Sequence, residues 1–138
     1  MSEAAATGLI CYHKQKTSAR TRFLRIGASV LVAGPLPASA AVSAGSGSVQ
    51  ADCAMPLRAA ERRLGLADGA LRAETEYCAE VQTPAGTVAI LLAEFTSIDP
   101  PFAAAEAAGG RFIAITEARD LPPVELELMR RAYEVIIG

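Results

Sequence analysis

Tryptophan is absent from this chain, and histidine occurs once, at His13. Lysine occurs only at Lys14 and Lys16. The remainder of the chain therefore has no Ser–His or Cys–His pair, no imidazole metal ligand, no Schiff-base lysine and no phosphate-loop lysine. No G-x-G-x-x-G or Walker-type loop is present. Aromatics are few, and alanine supplies much of the apolar content, so a thin core is expected. No apolar run reaches the roughly 18 residues that cross a bilayer, so no permanent membrane span is expected. Beyond residue 40 there are eight basic and fourteen acidic side chains, a net of −6. Nucleic-acid binding depends on basic side chains that neutralise phosphates, so no nucleic-acid partner is expected.

Residues 1–40 have the order of an export signal. The basic stretch Lys14 to Arg25 precedes a modest apolar run, Ile26 to Ala33. Helix-breaking Gly34, Pro35 and Pro37 and the small-residue site Ala38-Ser39-Ala40 follow. Arg20-Thr21-Arg22-Phe23-Leu24-Arg25 resembles the twin-arginine export motif, with a threonine at the second arginine position. The expected location is periplasmic or secreted. The alternative is a cytoplasmic protein that starts near Met55. Residues 41–51 are rich in Ala, Ser and Gly and read as a flexible linker.

Residues 52–138 read as one α+β domain. Pro56 to Leu66 has an apolar stripe of Leu57, Ala60 and Leu64, with Gly65 as its stop. Leu71 to Gln82 alternates strictly and predicts a strand covered on one side. Thr87 to Phe95, apolar at nearly every position, predicts its antiparallel partner across the turn Thr83-Pro84-Ala85-Gly86. Asp99-Pro100 and Asp120 before Pro122-Pro123 read as helix starts. Phe112 to Thr116 predicts a strand parallel to the second through a helical crossover. The expected order is αββαβα: a three-stranded mixed sheet with its helices mainly on one face. Phe95, Phe102, Phe112 and Tyr133 are assigned to the core.

The constellation that carries chemistry is acidic. Glu94 and Glu117 would end parallel strands at one sheet edge, with Asp99 and Asp120 just beyond. Ligands of open α/β sheets favour the crevice outside the carboxyl ends of the strands. Four carboxylates there suit Mg²⁺ or Ca²⁺. Alternatively, Glu94 and Glu117 offer acid–base chemistry, with Arg119 and Arg111 to orient an anion. The simpler reading makes both aspartates helix caps. No cofactor is implied. Cys53 and Cys78 form an even pair once Cys11 is set aside, and a disulfide between them suits an oxidising compartment. The first functional expectation is a non-enzymatic interaction module with a protein partner or a second copy of itself. The alternatives are a carboxylate enzyme, with or without a metal, and a small-molecule-binding domain with its site at the carboxyl ends of the parallel strands.

Overall fold

The computed structural model describes residues 7–16, 20–32, 34–37, 39–42, 54–77 and 79–137. Its axis is β6 (Gly86–Phe95), ten residues long. Val88, Ile90 and Leu92 of β6 enter one apolar cluster, and Leu91, Ala93 and Phe95 enter another. A strand apolar on both faces needs cover on both faces. Its neighbour on one side is β1 (Thr7–Lys14), which runs parallel to it with Thr7 opposite Ala89 and Tyr12 opposite Glu94. β1 divides its side chains in the same way, with Ile10 and Tyr12 in the first cluster and Leu9 and Cys11 in the second.

Five further strands complete the sheet. They are β2 (Thr21–Ile26), β3 (Ala41–Val42), β4 (Leu71–Ala73), β5 (Ala79–Thr83) and β7 (Gly110–Ile113). The order is β3-β5-β6-β1-β2-β7, with β4 beside the end of β6. The α+β class therefore stands, but the three-stranded sheet and the order αββαβα do not. Among the described residues seven strands form the sheet, and three of them escaped expectation: β1 and β2 lie inside the stretch with the composition of an export signal, and β3 lies at the start of the expected linker. The parallel neighbour of β6 is β1, not β7. β7 runs in the same direction as β6 but lies beyond β1 and β2.

The helices are α1 (Ala54–Arg63), α2 (Phe102–Ala107) and α3 (Pro123–Ile137). Leu128, Met129, Ala132 and Ile136 of α3 belong to the first cluster, and Leu57 and Ala60 of α1 and Ala105 of α2 belong to the second. Helices thus pack on both faces of the sheet, not mainly one. Among the described residues, no helix is long and apolar enough to cross a membrane.

Local sequence explains the helix ends. After α1, the Leu66 N–H donates to Glu61 O at 2.8 Å and the Gly65 N–H to Arg62 O at 3.1 Å. This is a Schellman closure, and it needs the positive φ of +70° that Gly65 adopts. α2 is followed by Gly109, whose φ is +82° and whose N–H donates to Glu106 O at 3.0 Å. Neither expected aspartate cap forms. The residue before α2 is Pro101, and no side chain caps that helix. Asp120 lies three positions before α3 and is committed elsewhere.

The expected strand Leu71 to Gln82 is broken at residues 74–77. Leu71 pairs with Phe95, yet Ala79 pairs with Ile90. The register slips by three residues across the break, and an odd slip exchanges the faces. Leu71 therefore joins the second cluster, while Tyr77, Ala79 and Val81 join the first. The alternation was correct within each half and did not reveal the break.

Of the four aromatics assigned to the core, Phe95 is buried, and Phe112 and Tyr133 are partly buried. Phe102 is half exposed. The three phenylalanines make an edge-to-face chain through Phe112, with both centroid separations 5.6 Å. The expected Cys53–Cys78 bridge and linker residues 43–51 lie outside the described residues.

Candidate functional site

The adjacent parallel strands β1 and β6 end side by side, and a cleft of about 170 Å³ opens there. Lys14, Gln15 and Lys16 come from the end of β1, and Glu94 to Ile98 from the end of β6 and its following loop. Arg72 of β4 closes one side. Its Nη2 lies 2.5 Å from Glu94 Oε1, the cross-strand partner that the register sets opposite it. The Lys14 Nζ donates to Ile136 O at 3.4 Å, at the carboxyl end of α3. A cation suits that end of a helix dipole. Lys14 and Lys16 form no ion pair among the described residues.

The walls behind the cleft are tied by hydrogen bonds. His13 is buried in β1, with its Nε2 2.9 Å from Ser97 O. That distance assigns the ring proton to Nε2, since a carbonyl only accepts. Nδ1 is buried with no partner among the described residues. Tyr12 stands opposite Glu94, and its hydroxyl donates to Glu74 Oε2 at 3.4 Å. Burial, and then the charges of Glu94 and Glu74, push the Tyr12 phenol well above its ordinary range. It stays a neutral donor. The Thr96 N–H donates to Ala70 O at 2.9 Å, the Thr96 hydroxyl to Gly69 O at 2.9 Å and the Ser97 hydroxyl to Asp99 O at 2.6 Å.

The four carboxylates expected to gather do not. Among the described residues no three His, Cys, Asp or Glu side chains are grouped as a metal would require. Glu94 and Glu117 lie at the same end of the sheet, but β1 and β2 intervene. Three interstrand spacings put β6 and β7 roughly 14 Å apart. Glu117 sits in a 3-10 turn, Ile115–Glu117, where its Oε1 accepts from the Ala114 N–H at 2.8 Å. Asp99 is exposed in the loop before α2, and Arg119 is exposed beside Asp120. Asp120 takes a bidentate pair from Arg25 of β2, at 2.8 Å to Nη1 and 2.6 Å to Nη2. These hydrogen bonds hold its carboxyl down at about 2, against 3.8 ordinarily, and Arg111 adds a smaller effect.

Cys11 offers no nucleophile. It is fully buried in the second cluster, and burial pushes its thiol far above the ordinary range, with Glu61 adding to the shift. Glu61 is itself occupied: its Oε2 accepts from the Gly69 and Leu71 N–H groups at 3.0 and 2.9 Å, and Arg58 lies 2.9 Å from Oε1. A second cavity, about 350 Å³, lies between α1 and the start of β1. It is lined mainly by apolar side chains, and its one charged group, Arg63, donates to Val32 O. It has the shape of a site with little of the chemistry.

Sequence reasoning missed Tyr12, His13, Lys14 and Lys16 because it placed them in a removable segment. A signal for them was present. Leu9 to Tyr12 is an apolar run of strand length, and Thr21 to Ile26 begins a second, seven positions after Lys14. Two such runs joined by a short polar stretch are a hairpin pattern. Comparison with protein-family models finds no match to this chain, and comparison with curated proteins finds none.

Proposed function

We propose that this protein is a small-molecule-binding domain whose site is the cleft at the carboxyl ends of β1 and β6. The observation that carries this reading is the position of two lysines, without ion-pair partners among the described residues, at the mouth of the adjacent parallel pair β1 and β6. The carboxyl ends of adjacent parallel strands are where α/β sheets leave a crevice. The interaction module drew its motive from the absence of catalytic residue types and from a thin core, and neither marks a particular surface, whereas the cleft is a defined place in the fold. The carboxylate enzyme needed Glu94, Asp99, Glu117 and Asp120 together, and they are dispersed.

A fragment screen followed by backbone amide shifts tests the reading. Hits should move the amides of Gln15, Lys16 and Thr96 to Ile98. Hits that consistently map elsewhere, or none from a library of several hundred small polar compounds, would sink it.

A further inference from the structure

We infer that the apolar cavity between α1 and the start of β1 is a second binding site, for a small aliphatic carboxylate that lays its hydrocarbon chain inside and its head on Arg63. The cavity lies at the opposite end of β1 from the cleft, and its standing does not depend on that cleft.

The wall decides the body of the ligand. Leu9, Val32, Met55, Pro56, Ala59 and Ala60 line a space of about 350 Å³. Small-molecule sites occupy roughly 300–1,000 Å³. Leu9, Val32 and Ala60 belong to the second cluster, so the cavity reaches the core, while Met55 stands 76 % exposed at its rim. The space has a local cause: α1 faces it with Pro56, Ala59 and Ala60, side chains too short to close it. The backbone groups of the wall are engaged. Leu9 O accepts from the Val32 N–H at 2.9 Å, Val32 O accepts from Arg63, and Thr7 has a partner of its own. Such a lining is poor in chemistry, and a hydrocarbon chain needs none: removal of its surface from water is the driving force.

Arg63 decides the head. It is the one charged side chain of the lining, and no carboxylate lines the cavity with it. Among the described residues it forms no ion pair. Its bond to Val32 O holds the guanidinium at the cavity and commits only Nη1. The N–H groups that remain suit a carboxylate, which accepts two parallel bonds from an arginine fork. One uncompensated cation matches one negative charge, whereas a phosphate monoester carries nearly two.

The test is an amide-shift titration of the full chain with octanoate, butanoate, octan-1-ol, octylamine and octyl phosphate. Octanoate should saturate shifts at Leu9, Val32, Met55, Ala59 and Ala60. Butanoate should bind at least about tenfold more weakly, since it buries fewer methylenes. Octylamine should also bind at least about tenfold more weakly, because its charge repels Arg63, and octanol and octyl phosphate several-fold more weakly. Arg63→Gln should weaken octanoate several-fold and leave octanol unchanged. Ala59→Leu, at an exposed position where leucine is a good helix former, should fill the space and weaken octanoate and octanol alike, with the melting curve of the protein retained. Octanol that matches octanoate, or octyl phosphate that exceeds it, overturns the carboxylate head and leaves the cavity as an apolar site. Octanoate shifts confined to Gln15 and Thr96 to Ile98, or no saturable shift with any probe, overturn the site itself. Self-association that Ala59→Leu abolishes, without ligand binding, gives the cavity to a second copy of the chain and overturns the proposal as well.

Discussion

Asp120 shows how a residue can be correctly singled out and wrongly employed. Its place before a proline pair reads as a helix cap, but its carboxylate points back to Arg25, which is buried and also donates to Gly27 O at 2.9 Å. Arg25 stands opposite Arg111 in the β2–β7 register, so Asp120 neutralises one of two facing cations. The pair has a pH signature. The Asp120 carboxyl titrates at about 2 in the folded chain and at 3.8 ordinarily. A group held lower when folded stabilises the fold above its unfolded pKa and loses that contribution as pH falls through the folded value. The pair should thus support the fold above about pH 4 and cease to do so by about pH 2. The carboxylate is 65 % exposed, so solvent screening keeps the effect small. Carboxyl NMR should give Asp120 a midpoint near the lower value, and Arg25→Lys should move it upward. An ordinary midpoint in the unaltered protein would mean that the pair does not persist in solution. Asp120→Asn should also flatten the acid limb of the stability curve within that window.

At the scale of elements, much was legible and the failures have physical causes. α1, α2 and α3 were found within a few residues of their ends, because Pro56, Gly65, Gly109 and Pro123 punctuate them. The β5–β6 hairpin was legible because its pairing is local, with Thr83 opposite Gly86. The pairing of β1 with β6 was not, because it joins Thr7 to Ala89 across most of the chain. No local pattern encodes which distant strand becomes a neighbour. For the same reason the candidate site was half legible. Glu94 and the carboxyl end of β6 were identified, but the lysines that give the cleft its charge came from a strand assigned to a targeting segment. Packing at the strands makes a testable difference between two glycines. A Cβ on Gly110 of β7 would lie 2.5 Å from Arg25 O, a backbone atom of the strand beside it. A Cβ on Gly8 of β1 would meet Ile90 Cδ1 at 2.7 Å, the free end of a side chain with other rotamers. Gly110→Ala should therefore cost about 1–3 kcal/mol, as overpacking of a fixed backbone does, and Gly8→Ala clearly less. Urea denaturation of the two variants checks the order, and equal losses would show that the β2–β7 edge yields as easily as a side chain.

For the whole molecule, the consequential residues are those at the start of the chain. β1 and β2 lie between β6 and β7, so they join the two parts of the sheet that the rest of the sequence supplies. They also bring Leu9, Ile10, Cys11, Tyr12, Phe23 and Leu24 to the core, with Val30, Leu31 and Val32 following. These side chains enter both clusters, so their loss would open both faces of the sheet. The buried Glu125 of α3 depends on the same segment. Its carboxyl accepts from the Ser29 hydroxyl at 2.8 Å and the Val30 N–H at 2.9 Å. A fragment spanning residues 41–138 would expose one edge of β6, uncover the buried face of α3 and leave Glu125 without its donors. Fully burying a single large apolar side chain contributes about 1.5–3 kcal/mol, and the net stability of a domain is about 5–15 kcal/mol, so losing nine core residues exceeds what a domain holds in reserve. The fragment should show no cooperative thermal transition and should bind a hydrophobic dye, while the full chain should melt in one step. Addition of a synthetic peptide covering residues 7–32 should restore part of the structure by supplying the missing strands. A fragment 41–138 that folds cooperatively by itself, with dispersed amide shifts and no dye binding, would mean that the first two strands only lean on a finished domain. The cleft between β1 and β6 would then lose its standing as a built site.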